Sequence, residues 1–516
     1  MKHPGRPRLL VVAVALVALA ASVAAAPVAA DPNNNNSEKL RAAVTLEGVR
    51  AHQAEFQAIA DISGGNRFAG LPGYERSADY VFEQLQAAGY DPTFWYFTYN
   101  AFVEDVTSSM RQISPNPTTY VNGLDFRIMT YSGSGDVTAP VTHLTTLGCE
   151  AGDWTGFPAG SIALVSRGAC TFRIKTTNAA AAGASAIVVY NNIPGLLSGT
   201  LGEAGGLSAI PSLGTTQALG QELAALAPGG LVLEIKTQTS SRALETRNVL
   251  AELPGRDDGG NVIVVGAHLD SVNAGPGIND NGSGSAAILE TAIQMAKVKP
   301  RNTVRFAWWS AEESSLVGST RYVASLTQPE LDRIALNLNF DMVGSPNFVR
   351  FVYDGDNSAF PVGPGAAEGP PGSDAIEALF HEYFASQGLP SAETPFSGRS
   401  DYGPFIAQGI PAGGLFTGAE GIKTAEQAAT YGGTAGIAYD RCYHASCDTY
   451  DNNSDVALDT NADAIAHAVV TYAQNTEAVN AVKGKGNFKP KAGPQNPDGT
   501  TSGPNGGLHE DAAVSE

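Results

Sequence analysis

Apolar residues recur at helical spacing between about Leu46 and Gly89, as in Tyr80-Val81-Phe82-Glu83-Gln84-Leu85, and the run stops at a glycine suited to a helix cap. The texture then changes. From about Asn122 to Thr239 short β-rich runs, such as Ile162-Ala163-Leu164-Val165 and Ala186-Ile187-Val188-Val189-Tyr190, are separated by Gly and Pro, which predicts an inserted β-rich unit. Three apolar runs that look like buried strands follow, Val262 to Gly266, Val304 to Trp309 and Leu336 to Phe340, with helical stretches between them. Strands buried on both faces have this pattern, so the chain predicts an α/β fold with a central, mostly parallel mixed sheet flanked by helices.

The N-terminal 30 residues carry Lys2, Arg6 and Arg8, then an apolar run from Leu9 and small residues before Asp31. That order is a secretory signal, with a membrane anchor as the competing reading. The expected division is 1–30 signal peptide, 31–121 first part of the main domain, 122–239 insert, 240–482 main part, and 483–516 a Gly-, Pro-, Asn- and Lys-rich tail that is disordered or removed. Composition narrows the partners. With 31 basic and 51 acidic residues the net charge is -20, which opposes nucleic-acid binding and favours solubility; no membrane association is expected once the signal is removed. In an exported chain the four cysteines are expected to pair in sequence order, Cys149 with Cys170 and Cys442 with Cys447. Metal ligation by Cys442 and Cys447 competes with that pairing.

Chemistry gathers at the ends of the three strands, where open α/β sheets place their ligands. The first leads into Gly266-Ala267-His268-Leu269-Asp270, where His268 can present one ring nitrogen to a metal and Asp270 can orient the other. A glycine-rich turn holds Asp280, whose two carboxylate oxygens suit a bridge between two cations; an ordinary Asp-Asn-Gly turn is the plain alternative. The second strand ends in Glu312 and Glu313, adjacent carboxylates that cannot point the same way, so one can ligate while the other faces a water. The third supplies Asp341, and His444 lies between Cys442 and Cys447. Each residue alone has an unremarkable reading, but two His and three carboxylates together suit two metals with imidazole and oxygen ligands, and such a pair suits amide hydrolysis.

The stretches GAHLDSV, GINDNGSGSAA, RFAWWSAEE, NFDMVGSPN, GRSDYGPF, GGLFTGAE and AYDRCYHASCDTYDN resemble the Streptomyces-type leucine aminopeptidases of the MH-clan zinc exopeptidases, over about Leu46 to Phe102 and Arg247 to Asn475. The resemblance implies the zinc exopeptidase fold and two zinc ions, one held by His268, Asp280 and Asp341, the other by Asp280, Glu313 and His444. It further implies Glu312 as general acid/base, Tyr443 as oxyanion stabiliser and a cis peptide at Asp280–Asn281. Met342, Gly398 and Phe416 match positions that contact the substrate side chain, with Leu-like residues preferred. The Arg399 carbonyl, with Glu312 and Asp341, would receive the free α-amino group of a peptide. Asp459 and Asp463 match positions that hold calcium. The insert resembles a protease-associated (PA) domain, through Phe157 to Phe172 and Asn178 to Ala184, with a lid role and a passive spacer as its alternatives. The expected function is therefore that of a secreted, monomeric aminopeptidase acting on peptides with a free N-terminus. A same-clan carboxypeptidase would need a basic cluster that is not found, and a receptor-like binding protein would have no need of Glu312 beside five intact ligands.

Overall fold

The computed structural model describes Met1 and residues 34–257, 260–363 and 365–481; the expected tail, and the signal peptide beyond Met1, lie outside these residues. The three apolar runs form the strands Val262–His268, Thr303–Trp309 and Ile334–Phe340. They are parallel neighbours, with Val262–His268 in the middle. Ala412–Phe416 continues the parallel set beside Ile334–Phe340, while Val232–Leu253 and Phe351–Tyr353 pair antiparallel at its flanks. The sheet is mixed and mostly parallel, as the alternation of apolar runs with helical stretches predicts.

Both faces of these strands are covered, and the polar residues of the third, Asn337 and Asn339, are buried with it. Ile263, Val265 and Ala267 enter a core with Phe56, Val81, Leu289 and Ile465 from the helices Leu46–Asp61, Pro72–Ala88, Gly282–Met295 and Asp455–Gln474. Val262 and Val264 face the other way, against Trp309, Tyr322 and Phe405. The Pro72–Ala88 helix ends at Gly89, whose φ of 96° is the left-handed conformation that a glycine cap supplies. Parallel strands bring their carboxyl ends to one edge of the sheet. His268 therefore closes its strand beside the residues that follow Trp309 and Phe340.

Two 22-residue strands, Thr93–Ser114 and Val232–Leu253, join this layer to the insert. They pair antiparallel from Thr93–Leu250 to Ser114–Val232. The far end of Val232–Leu253 also pairs with Gly135–His143, beyond which Ile162–Ser166, Ala186–Tyr190 and Ser212–Thr215 follow in parallel. Met110 packs with Ile162, Leu213 and Leu233 in the core of the insert, so that core draws on the chain before residue 122. Cys149 is bonded to Cys170 and Cys442 to Cys447, which removes the reading of Cys442 and Cys447 as metal ligands. Among the described residues no helix is long and apolar enough to cross a membrane.

Candidate metal centre

His268, the last residue of its strand, is 1% exposed. Its Nε2 lies 3.3 Å from Asp280 Oδ1 and 3.4 Å from Asp341 Oδ1. Glu312 Oε2 stands farther off, at 4.0 Å. The second imidazole approaches from the opposite side: His444 Nε2 is 3.1 Å from Asp280 Oδ2 and 2.9 Å from Glu313 Oε2. Asp280 thus turns one oxygen to each histidine. The two glutamates diverge, as adjacent residues leaving a strand must.

Local structure explains how these groups are held. Asp280 precedes the N-cap of the Gly282–Met295 helix, its peptide bond to Asn281 is cis, and its backbone N–H donates to Asp448 Oδ2 at 2.9 Å. Asp448 Oδ1 accepts from Asn279 N–H, also at 2.9 Å, so one buried carboxylate cradles the turn. The disulfide-closed loop supplies His444, and Asp448, the residue directly after Cys447, supplies this cradle. Met342 and His444 adopt φ of 49° and 56°, conformations a non-glycine residue keeps only where its surroundings impose them. Asp270 departs from expectation. His268 Nδ1 faces the Asp270 backbone carbonyl at 3.1 Å, with the nearer carboxylate oxygen at 3.7 Å. That carboxylate instead accepts the backbone N–H groups of Glu312 and Glu313.

The electrostatics call for positive charge. Burial disfavours a charged imidazole, yet Asp341, Glu312, Asp270 and Asp280 hold the His268 pKa well above its ordinary value. His444 is pushed up to about 9, with burial opposing and Glu313 and Asp280 prevailing. Burial, reinforced by Glu313, Asp401 and Asp341 against the pull of His268, pushes Glu312 well above the usual carboxylate range. Asp280 Oδ2, Glu313 Oε1 and Asp341 Oδ1 are buried acceptors without a hydrogen-bond donor among the described residues. Tetrahedral zinc with N and O ligands sets neighbouring donors about 3.3 Å apart. The observed spacings of 2.9 to 3.4 Å around His268 and His444 fit such a donor set.

Comparison with known proteins gives the family. Residues 248–469 match the model of peptidase family M28, and residues 136–223 match the PA domain. An aminopeptidase of Pseudomonas aeruginosa (strain UCBPP-PA14) is 47% identical over 82% of this chain and 80% of the relative. The chain belongs to peptidase family M28. Leucine aminopeptidase 2 of Arthroderma otae is 40% identical to this M28 peptidase, over 91% of the chain and 92% of the relative. The solved structure of an aminopeptidase from Aneurinibacillus sp. strain AM-1 superposes with a TM-score of 0.66 at 27% identity, covering 88% of this chain and 98% of that one.

The carboxylates and histidines open into a cleft of about 700 Å3, solvent at its mouth included. Met342 and Phe416 line it, with Tyr353 and Tyr439 adding aromatic surface; Gly398 is not on the wall, although its neighbours Ser397 and Arg399 are. Tyr443 stacks on His444 with ring centroids 3.8 Å apart, and its hydroxyl accepts from Arg399 Nη2 at 2.9 Å. Arg399 is in turn paired with Glu420 at 2.8 Å. Glu420 and Ser400, whose hydroxyl donates to Asp341 Oδ2 at 2.5 Å, are site residues that sequence reasoning did not single out. Both lie inside stretches that carried the family resemblance, which is the signal that points to them. Asp401, buried beside them and pushed up to about 7 by that burial, shares the same stretch as Ser400. Asp459 and Asp463 lie elsewhere. Asp459 is exposed on the Asp455–Gln474 helix, Asp463 pairs with Arg41 at 3.5 Å, and neither joins a group of three or more metal-capable side chains among the described residues.

Proposed function

We propose that this M28 peptidase is a secreted, monomeric dizinc aminopeptidase that removes large apolar N-terminal residues from peptides. His268, Asp280 and Asp341 would hold one ion; Asp280, Glu313 and His444 would hold the other. The observation that carries this reading is the position of Asp280, with one oxygen 3.3 Å from His268 Nε2 and the other 3.1 Å from His444 Nε2. When bound, such a metal pair polarises a carbonyl and lowers the pKa of water.

The remaining chemistry belongs to side chains of this chain. Glu312, beside the five ligands but not among the nearest donors to either histidine, takes a proton from the attacking water and returns it to the leaving amine. Arg399 donates to the Tyr443 oxygen, so the phenolic hydrogen is free to point at the oxyanion of the tetrahedral intermediate. The Glu312 and Asp341 carboxylates and the Arg399 carbonyl would receive the α-ammonium group. An internal peptide bond brings no such cation, and leaving those acceptors buried and unpaired is costly. Met342 and Phe416, lining the cleft, would contact the side chain of the first residue, with Gly398 beside them.

A carboxypeptidase reading is weaker, because the one arginine on the cleft wall among the described residues, Arg399, is already engaged by Glu420 and Tyr443. Two disulfides support export. The test is hydrolysis of leucine 4-nitroanilide against its N-acetylated counterpart. The reading expects turnover of the free amine only, and equal turnover of both would contradict it.

A further inference from the structure

The turn that carries Glu312 and Glu313 is strained. Ala311, Ser315 and Leu316 have φ of 58°, 80° and 54°, and non-glycine residues stay in this region only where neighbours hold them. Asp270 holds the first part of the turn through two backbone N–H groups. The second part is held from the insert. Ser315 Oγ lies 3.1 Å from Thr200 Oγ1, which is itself 2.6 Å from Thr130 Oγ1 and accepts from Gly202 N–H at 3.0 Å. Three residues on, both Glu203 carboxylate oxygens accept from Arg321 Nη2, at 3.1 and 3.0 Å, and Glu203 Oε1 also accepts from Asn100 N–H. Arg321 sits on the Val317–Ser325 helix that begins where the turn ends.

The arm bearing Thr200 and Glu203 is itself firmly seated. Arg173 donates to the carbonyls of Leu201, Gly202 and Gly206 at 2.6 to 2.7 Å. Among the described residues, none of 122–239 lines the cleft. On this geometry the insert reaches the site through the turn rather than through the cleft wall.

We propose that the Thr200–Glu203 arm of the PA domain is a positioning element for the Glu312–Glu313 turn, so that the insert sets turnover without touching substrate. The proposal rests on the functional reading above for its kinetic consequence. The geometry on which it stands, two polar contacts converging on a strained turn and the helix after it, is independent of that reading.

The experiment compares Thr200→Val, Thr200→Ser and Glu203→Gln with the unaltered full chain. Thr200→Val and Glu203→Gln are each expected to lower kcat on leucine 4-nitroanilide about three- to tenfold, the size of one lost hydrogen bond, while KM moves less than about twofold. Thr200→Ser, which keeps the hydroxyl, is expected to retain kcat. Amide hydrogen exchange over residues 312–316 should quicken in the first two variants and stay unchanged in the strand Val262–His268. Unchanged kcat and exchange in Thr200→Val and Glu203→Gln, or a loss in Thr200→Val that Thr200→Ser shares, would overturn the proposal. An unaltered chain that turns over no free-amine substrate would sink the functional reading instead, and the exchange comparison would still test the arm.

Discussion

The carboxylate of Asp270 accepts the backbone N–H of Glu312 at 3.2 Å, although the two residues lie on different strand-end loops. A second bond, from Glu313 N–H at 3.3 Å, uses the other oxygen. One buried side chain therefore fixes the backbone of both glutamates while its own carbonyl faces His268. Replacing Asp270 with Asn turns one acceptor into a donor aimed at an N–H group. Outer-shell changes of this kind typically cost 10- to 100-fold, and kcat is expected to fall within about that range. Circular dichroism and zinc content measured alongside should show a folded chain, and an unaltered kcat would contradict the assigned role.

Metal content should approach about two zinc ions per chain, as the sharing of Asp280 implies. A strong chelator is expected to abolish turnover, with recovery on adding zinc. His444→Ala should lower the content toward one ion, because Asp280 and Glu313 alone complete no site. Full activity in protein shown by mass spectrometry to be metal-free would contradict the dizinc reading.

Tyr443→Phe removes the phenolic hydrogen and leaves the ring on His444. Loss of one oxyanion donor typically costs about 10²–10³ in kcat. The expected signature is a fall of that size in kcat with both metals retained and KM little changed. A rise in KM with kcat preserved would assign Tyr443 to ground-state binding.

How much of this was legible in the sequence depended on how local each feature is. The strands Val262–His268, Thr303–Trp309 and Ile334–Phe340 begin and end within two residues of the apolar runs that predict them, because burial on both faces leaves runs interrupted only at Arg305, Asn337 and Asn339. The five candidate ligands follow from strand ends and from motif resemblance, and the structure brings them together. Asp270 shows the limit. Its position two residues after His268 predicted proximity correctly, but its carboxylate is claimed by backbone N–H groups more than 40 residues away, and no local pattern reveals that competition. Asp448 escaped for the same reason, since its partners are the backbone of Asn279 and Asp280. The start of the insert was blurred because Thr93–Ser114 runs through both layers as one strand, with no Gly or Pro to mark the passage.

Away from the centre, burial pushes Glu377 up to about 7 from its model-peptide value of 4.5, with Asp356, Asp354 and Glu393 adding to the rise against the Gly355 N–H bond. A carboxyl whose folded pKa is raised contributes stability that is fully present below its unfolded pKa and is lost as pH rises through the folded one. The native chain should therefore lose stability between about pH 4.5 and 7 through this group. Glu377→Gln, uncharged throughout, should flatten that part of the profile. Thermal midpoints of the two proteins across this window provide the measurement, and parallel profiles would contradict the assignment.

Glu312 is proposed to move protons and to ligate nothing. Glu312→Gln keeps size and hydrogen bonding but cannot accept a proton, so kcat on leucine 4-nitroanilide and zinc content should be measured on the same sample. General acid–base catalysis is typically worth about 10²–10⁴-fold, and a residue serving two proton transfers should lose at or beyond the upper end. That loss is expected with both metals still bound, whereas Glu313→Gln should lose metal and partly recover in excess zinc. Near-normal turnover of Glu312→Gln at unchanged zinc content would contradict this role.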